Sequence, residues 1–424
     1  TAHIIAQLCM LATLILMITG KTPIYMTAIV GAAISALIAG FPMAGGTGMT
    51  VTKMIVSGLN PVIADMTGML FIGIMQATGF LDVIIRDIVR LGNKWGGGVG
   101  VACAGGVAAG VIGALTGFTQ PVITAVICGP AAVRLGVRPN QSAGMIAHAG
   151  HIGNLAGFTH PTQVAILATA GIGYGLFNVL GFIAAGSIFV LSAIRATADM
   201  RRRGIKIDAA EKARIIQEIE NREYSTTSWK AFFPFLVLVI GFICGLPIFL
   251  VGMAAAIVTM MLAHASPKQA ELDMMKGVSL IATPLVATIG FLFMSTVIRE
   301  IGMVQTVSDF VSPVLSVQPV LILFAVAFLT GFMTQSYAAS VAVLVPFLQV
   351  TLQTGADPFA SAFAAASGCS LIQYFLTGGP VAALSTVIPV IPGSDLKGAN
   401  AFQRPSILFG CLVAFIITAC LAFL

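Results

Sequence analysis

Apolar runs of about 17–20 residues follow one another along almost the whole chain, and only one long stretch, residues 195–230, is hydrophilic. A run of that length crosses the hydrocarbon core as a helix. A membrane β-barrel would instead show ~10-residue alternating segments, and none is apparent. The 424 residues are 58% hydrophobic and 8% charged, with a mean hydropathy of +1.02. So few charges cannot cover the surface of a soluble chain of this size, and the sequence predicts an all-α polytopic membrane protein. Its 46 glycines let helices approach closely and break inside the bilayer.

The order of segments repeats. Spans near 3–19 and 23–42 precede a mixed stretch, 46–60, then a span at 61–79 and a polar arm at 80–94. Segment 97–136 is too long for one crossing, 139–172 is interrupted by G-F-T-H-P (157–161), and 177–194 is a clean span. The second half offers spans near 231–245 and 247–263, an amphipathic piece at 267–278, a span at 279–297 and an arm at 299–310. Segment 317–355 is again overlong, 358–392 is interrupted by L-T-G-G-P (376–380), and 405–424 closes the chain. Both overlong segments carry one phrase, L-T-G-F-T-Q-P at 115–121 and L-T-G-F-M-T-Q at 329–335, and both have a proline on the way out, Pro130 and Pro346. The expected organisation is two inverted repeats, 1–194 and 231–424, joined by a linker at 195–230. Each repeat holds a re-entrant helical hairpin (97–136, 317–355) and a discontinuous helix (139–172, 358–392).

Charge counting orients this arrangement. With the linker cytoplasmic, both termini outside and the overlong segments entering and leaving on one side, 19 of the 21 basic residues fall inside; only Lys53 and Arg299 fall outside. Full crossings by the overlong segments would move Arg134 and Arg138 outside. The hairpin topology therefore fits better, and inverted repeats with broken helices are the architecture of secondary transporters.

Four breaks are encoded, at Thr116–Pro121, Phe158–Pro161, Thr330–Ser336 and Thr377–Pro380, each leading into an apolar half-helix. Backbone that leaves helical geometry in a membrane must line a site or be buried in protein. Proline suits the first helical turn, and Ser or Thr its cap. Helix N-termini carry partial positive charge and free N–H donors, and no Lys or Arg stands at the breaks. The expected ligand is a small carboxylate, and two pairs of helix ends suit two carboxyl groups. Its candidate shell is Thr116, Gly117, Thr119, Gln120, Thr159, His160, Thr334, Gln335, Ser336, Thr377, Gly378 and Gly379.

Asp65, the one acid well inside a span, and His148, His151 and Asn154, spaced i, i+3 before the second break, are candidates for ion coupling; hydrogen-bonded packing is the plainer reading for the last three. Na⁺ or H⁺ is the coupling ion in that case, with no other cofactor. The five histidines and seven cysteines form no metal-ligand array, and the cysteines read as small packing residues. Arg86, Asp87, Arg299 and Glu300 read as interfacial anchors. No nucleic-acid partner is expected, because a positive-inside bias accounts for the net charge of +6. Ile4–Thr19 lacks a basic leader and a cleavage site, so it reads as a span rather than a signal peptide. No enzyme is expected, since the half-helices lack an acid matched to a Ser or His. A cation/proton antiporter would want buried acids at the breaks, and a channel a repeated filter or charged ring.

Several stretches resemble the anaerobic C4-dicarboxylate carriers, the Dcu family of the ion-transporter superfamily. G-F-L-D-V-I-I-R-D (79–87) is similar to that family's arm, and Pro130 with R-L-G-V-R-P-N-Q-S-A (134–143) to its hairpin exit. S-Y-A-A-S-V-A-V-L-V-P (336–346), P-F-A-S-A-F-A-A-A-S-G (358–368), P-V-A-A-L (380–384) and F-Q-R-P-S-I-L-F-G (402–410) have counterparts in the same order. Ala342 stands where the family has a lysine, His160 replaces a small residue, and Gly378-Gly379 replaces a bulkier break. The resemblance implies exchange or ion-coupled symport of fumarate, succinate, malate or aspartate across a bacterial inner membrane. It also implies an elevator-type homodimer embedded in lipid. Gluconate-type and other organic-anion permeases share the outline, and both substrate classes stay open at this point.

Overall fold

The computed structural model describes the chain except residues 1, 20–21, 58, 117–118, 120, 159, 222, 281, 304, 307–308, 310–316, 336 and 377–380. All regular elements among the described residues are helical. The first half runs α1 (Ala2–Thr19), α2 (Ile24–Ile38), α3 (Val51–Val56), α4 (Leu59–Ala77), α5 (Phe80–Thr116), α6 (Val122–Arg134), α7 (Pro139–Ala147), α8 (Ala149–Leu155), α9 (Pro161–Ala170) and α10 (Leu176–Arg202). A linker helix, α11 (Ala209–Glu220), leads to α12 (Ser228–Ile243), α13 (Ile248–Leu262), α14 (Pro267–Leu280), α15 (Ala282–Glu300), α16 (Pro319–Thr334), α17 (Tyr337–Gln353), α18 (Pro358–Ile372), α19 (Val381–Val387) and α20 (Leu396–Ala422). Three stretches, Phe80–Ala114, Leu176–Arg202 and Leu396–Ala422, are long and apolar enough to cross a membrane. The chain has the make-up of a helical membrane protein.

Packing partnerships come in matched pairs. Helix α1 lies on α2 as α12 lies on α13; α2 packs on α15 as α13 packs on α4; α3 meets α15 as α14 meets α4. Both overlong segments fold back on themselves, α5 against α6 and α16 against α17. The arm and the first hairpin limb are one helix, α5, kinked at Gly96 and Gly97, where Gly97 takes the positive φ of 56° that favours glycine. Where backbones approach closest, glycine is required: a Cβ on Gly277 would collide with the Met69 carbonyl, and one on Gly331 would sit 2.5 Å from the Cys369 carbonyl.

Several boundaries differ from the sequence reading. Helix α2 stops at Ile38 rather than 42, because Gly40 (φ 92°) supplies a left-handed C-terminal turn, with Phe41 N–H donating to the Ala36 carbonyl. Helix α10 continues to Arg202, past the expected 194, where Arg138 and Arg203 both pair with Asp199 at 2.9 Å. The closing helix begins at Leu396, not 405: the Asp395 carboxylate accepts from Gly398 N–H at 2.8 Å, and the helix runs on through Pro405. The third break comes later than expected, at Gln335 rather than from Thr330. Residues 329–334 are helical, and Thr330 Oγ1 donates to the Val326 carbonyl one turn back.

Candidate functional site

Of the candidate shell, Thr119, His160 and Gln335 are described in full. For Thr116 and Thr334 only the backbone is described, as the last residues of α5 and α16, and Asp65 is likewise placed only by its backbone, in α4. Gly117, Gln120, Thr159, Ser336, Thr377, Gly378 and Gly379 lie outside the described residues. The side chains that flank the breaks show how these come together.

The first two breaks are joined. Phe158 N–H donates to the Ala114 carbonyl at 2.7 Å, and Thr119 packs so tightly on α8 and α5 that a Cβ on Gly153 or Gly113 would overlap its hydroxyl. The second and third meet across the halves: the His160 and Tyr337 rings lie 5.1 Å apart between centroids. The third and fourth are tied by the Gln373 Oε1, which accepts from Tyr337 N–H at 2.6 Å, and by Phe332 against Phe375. Asn154 Nδ2 donates to Tyr374 Oη at 3.0 Å, linking α8 to the residues just ahead of the fourth break.

The caps are not those expected. Helix α9 does open on Pro161, but its N-cap is His160 rather than a Ser or Thr, and Pro121 is the N-cap of α6 rather than its first helical residue; neither cap has a side-chain hydrogen bond. Helix α16 ends with Gln335 in the left-handed conformation (φ 50°, ψ 29°), its N–H bonded to the Gly331 carbonyl at 3.0 Å. A non-glycine residue there is strained, and such strain clusters at functional sites.

Four buried polar atoms around this junction have no hydrogen-bond partner: His160 Nδ1, Gln163 Oε1, Gln335 Oε1 and Tyr337 Oη. Buried polar groups are nearly always paired, so this cluster asks for a ligand. Gln163 went unnoticed in the sequence; its Nε2 donates to the Leu155 and Gly157 carbonyls, both at 2.9 Å, bracing the second break and leaving its oxygen over.

Arg404 was also missed. No basic residue is near the breaks in sequence, yet α20 brings Arg404 Nε to the Phe375 carbonyl at 3.0 Å, beside the fourth break, with Asn400 Nδ2 on the Tyr374 carbonyl at 3.1 Å. The signal lay in F-Q-R-P-S, which repeats no pattern of the first half.

His148 and His151 are fully buried. His148, at the α7–α8 joint, shares a 3.0 Å hydrogen bond through Nε2 with Ser192 Oγ, which donates to Ser406 Oγ at 2.8 Å; His151 Nδ1 lies 3.2 Å from the His148 carbonyl. These bonds tie α8, α10 and α20 together, while His148 Nδ1 and His151 Nε2 are buried without a hydrogen-bond partner. Arg86 pairs with Asp87 at 2.8 Å within α5, and Arg299 with Glu300 at 3.1 Å at the end of α15. The seven cysteines are free, and no group of three or more His, Cys, Asp or Glu among the described residues could hold a metal. Two clefts lie elsewhere, about 420 Å³ between α1 and α2 and about 430 Å³ at the ends of α15 and α17; neither lining carries an orphaned atom.

No family model matches the chain, and no curated protein matches its sequence. Among solved structures, the fold is similar to the crystal structure of the Alcanivorax borkumensis YdaH transporter, described as having an unusual topology. The TM-score is 0.64 over 98% of each chain, at 15% sequence identity. At that identity the likeness is one of fold.

Proposed function

We propose that the chain is a secondary transporter of small carboxylates, C4-dicarboxylates such as malate, aspartate, fumarate or succinate, working by exchange or ion-coupled symport. One observation carries this reading: breaks from both halves of the chain meet at a knot of buried, unpartnered polar atoms around His160 and Tyr337. The start of α9, at His160 and Pro161, lies at the knot, and Arg404 stands beside the residues that lead into the fourth break. The fold shared with a transporter supports it. In this reading the two halves are inverted repeats, and the hairpin-bearing helices move as a body against the rest of a homodimer in a bacterial inner membrane. The Thr and Ser hydroxyls of the shell orient the anion.

Counterflow in proteoliposomes tests the proposal. Vesicles loaded with unlabelled malate should take up labelled malate saturably, and Gln335→Ala or His160→Ala should cut the rate by about 10-fold or more while the protein stays folded. Non-saturable uptake would indicate a channel. Wild-type rates in both variants would remove the site.

A further inference from the structure

We infer that the coupling ion is a proton and that His151 carries it; this rests on the carboxylate reading above. The hydrogen bonds of the buried pair fix which nitrogens are free. Ser192 Oγ donates its one proton to Ser406 Oγ, so it accepts from His148 Nε2–H, and His148 Nδ1 is the free end. The His148 carbonyl can only accept, so His151 Nδ1 bears the proton of its ring. The lone pair on His151 Nε2 is then left over, fully buried and without a partner. A buried acceptor of this kind asks for a proton or a donor. An added proton makes the ring a donor at both nitrogens, and the carbonyls of His148 and Leu371 face that ring. Na⁺ suits the place poorly, since hard cations take oxygen rather than imidazole nitrogen.

His151 sits where its charge would feel a bound anion. Its ring lies 4.7 Å from that of Tyr374, whose Oη accepts from Asn154. One turn on, about 6 Å along the axis, the Leu155 carbonyl accepts from Gln163, whose free oxygen belongs to the knot. Helix α10 turns Phe189 and Ser192 toward His148, α20 brings Ser406, and Gly106 and Gly110 of α5 pack on the same stretch; no carboxylate is among these groups. Arg195 Nη1 reaches Ser406 Oγ at 3.4 Å, so the positive charge already present stands on the His148 side and leaves His151 the better seat. A lone charge buried this deeply is costly unless an opposite charge joins it. The proton therefore enters with the carboxylates and leaves with them, which is symport.

The test reads a plateau rather than a rate. Proteoliposomes holding the full-length protein, with the membrane potential clamped at zero, take up labelled malate under a gradient of one pH unit, acid outside. One coupled proton allows internal malate to rise about 10-fold above external. Wild type should approach that plateau, with protein-free vesicles as the baseline. His151→Asn, which keeps an N–H near the place of Nδ1 but does not titrate, should level off within about twofold of one. His151→Gln, a second non-titrating variant, should do the same. A variant that is merely slow reaches the wild-type plateau later, so a packing role and a coupling role separate. In weakly buffered detergent solution, malate should also draw about one proton per molecule bound onto wild type and none onto either variant. A plateau kept in the variants, a plateau driven by Na⁺ instead of the pH gradient, or no plateau under either gradient would overturn the inference while leaving the carboxylate site standing. Loss of folded protein in both variants would mark His151 as structural and overturn it too. If wild type shows no counterflow with malate, fumarate, succinate or aspartate, the dicarboxylate reading falls and the inference with it.

Discussion

Thr119 seats the tip of the first hairpin, and glycines on two helices make room for it. A Cβ on Gly153 would overlap its hydroxyl oxygen but would lie 3.1 Å from its Cβ, whereas one on Gly113 would lie 2.8 Å from its Cα. The two contacts therefore respond differently to change. Gly153→Ala should push the tip off α8, at an overpacking cost of about 1–3 kcal/mol, and Thr119→Ala in the same molecule should recover part of that loss. Gly113→Ala meets backbone, so no trimming at position 119 relieves it. Melting temperature and counterflow rate across these variants, with Thr119→Ala alone as the fourth, measure the coupling. Equal losses in Gly153→Ala and the double variant would show that the tip does not rest there. Glycine here serves proximity, which a reader of the sequence alone assigns to flexibility.

Helix α11 shows the same economy at the level of an element. Its Ile215 is buried, and Glu218 takes a two-pronged contact from Arg134, the last residue of α6, with Glu211 3.8 Å from the same guanidinium. The linker is thus clamped to the exit of the first hairpin. Arg134 at its side holds the Glu218 carboxyl below the ordinary value of 4.5. A lowered folded value means that the clamp is fully charged above pH 4.5 and weakens as pH falls through the lower value. A fluorophore at position 212 should report release in that acid range and, at neutral pH, in 1 M salt, where screening acts over about 3 Å. Arg134→Glu should speed trypsin cleavage at Arg214, and Glu218→Arg added to it should slow cleavage again; identical digestion rates in all three proteins would leave the clamp without consequence. How far such elements were legible depended on what proline and glycine were doing. Pro161 marked the start of α9 correctly, because proline is tolerated in a first turn and nowhere later without loss of a bond. Gly331 misled: it looked like the twin of Gly117 in a break, yet it lies inside α16 because its bare face lets α18 approach. Composition cannot separate these two uses, since both need the same missing Cβ. Arg404 at Phe375 and His148 at Ser192 were illegible for a different reason: their partners lie 29 and 44 residues away and follow no period.

For the whole molecule, the exchange of partners between halves is the property that constrains function most. Helix α2 rests on α15 and α13 on α4, so each half builds its framework from the other half's third long helix, and α10 lies against α20. Such reciprocity is what two similar units produce when they interlock about a two-fold relation, whether parallel or inverted. If the halves are inverted, corresponding arms face opposite sides of the membrane. Arg86–Asp87 in α5 and Arg299–Glu300 at the end of α15 are ion pairs near those arms. Single cysteines at Arg90 and Gln305, next to those pairs, should then label from opposite faces of intact cells, Gln305 from outside and Arg90 from inside. A cysteine at Lys212 should label with Arg90. The background must first lose Cys244 and Cys420, the two exposed thiols, while the buried Cys128, Cys369 and Cys411 can stay. Labelling of both arms from one face would make the halves parallel.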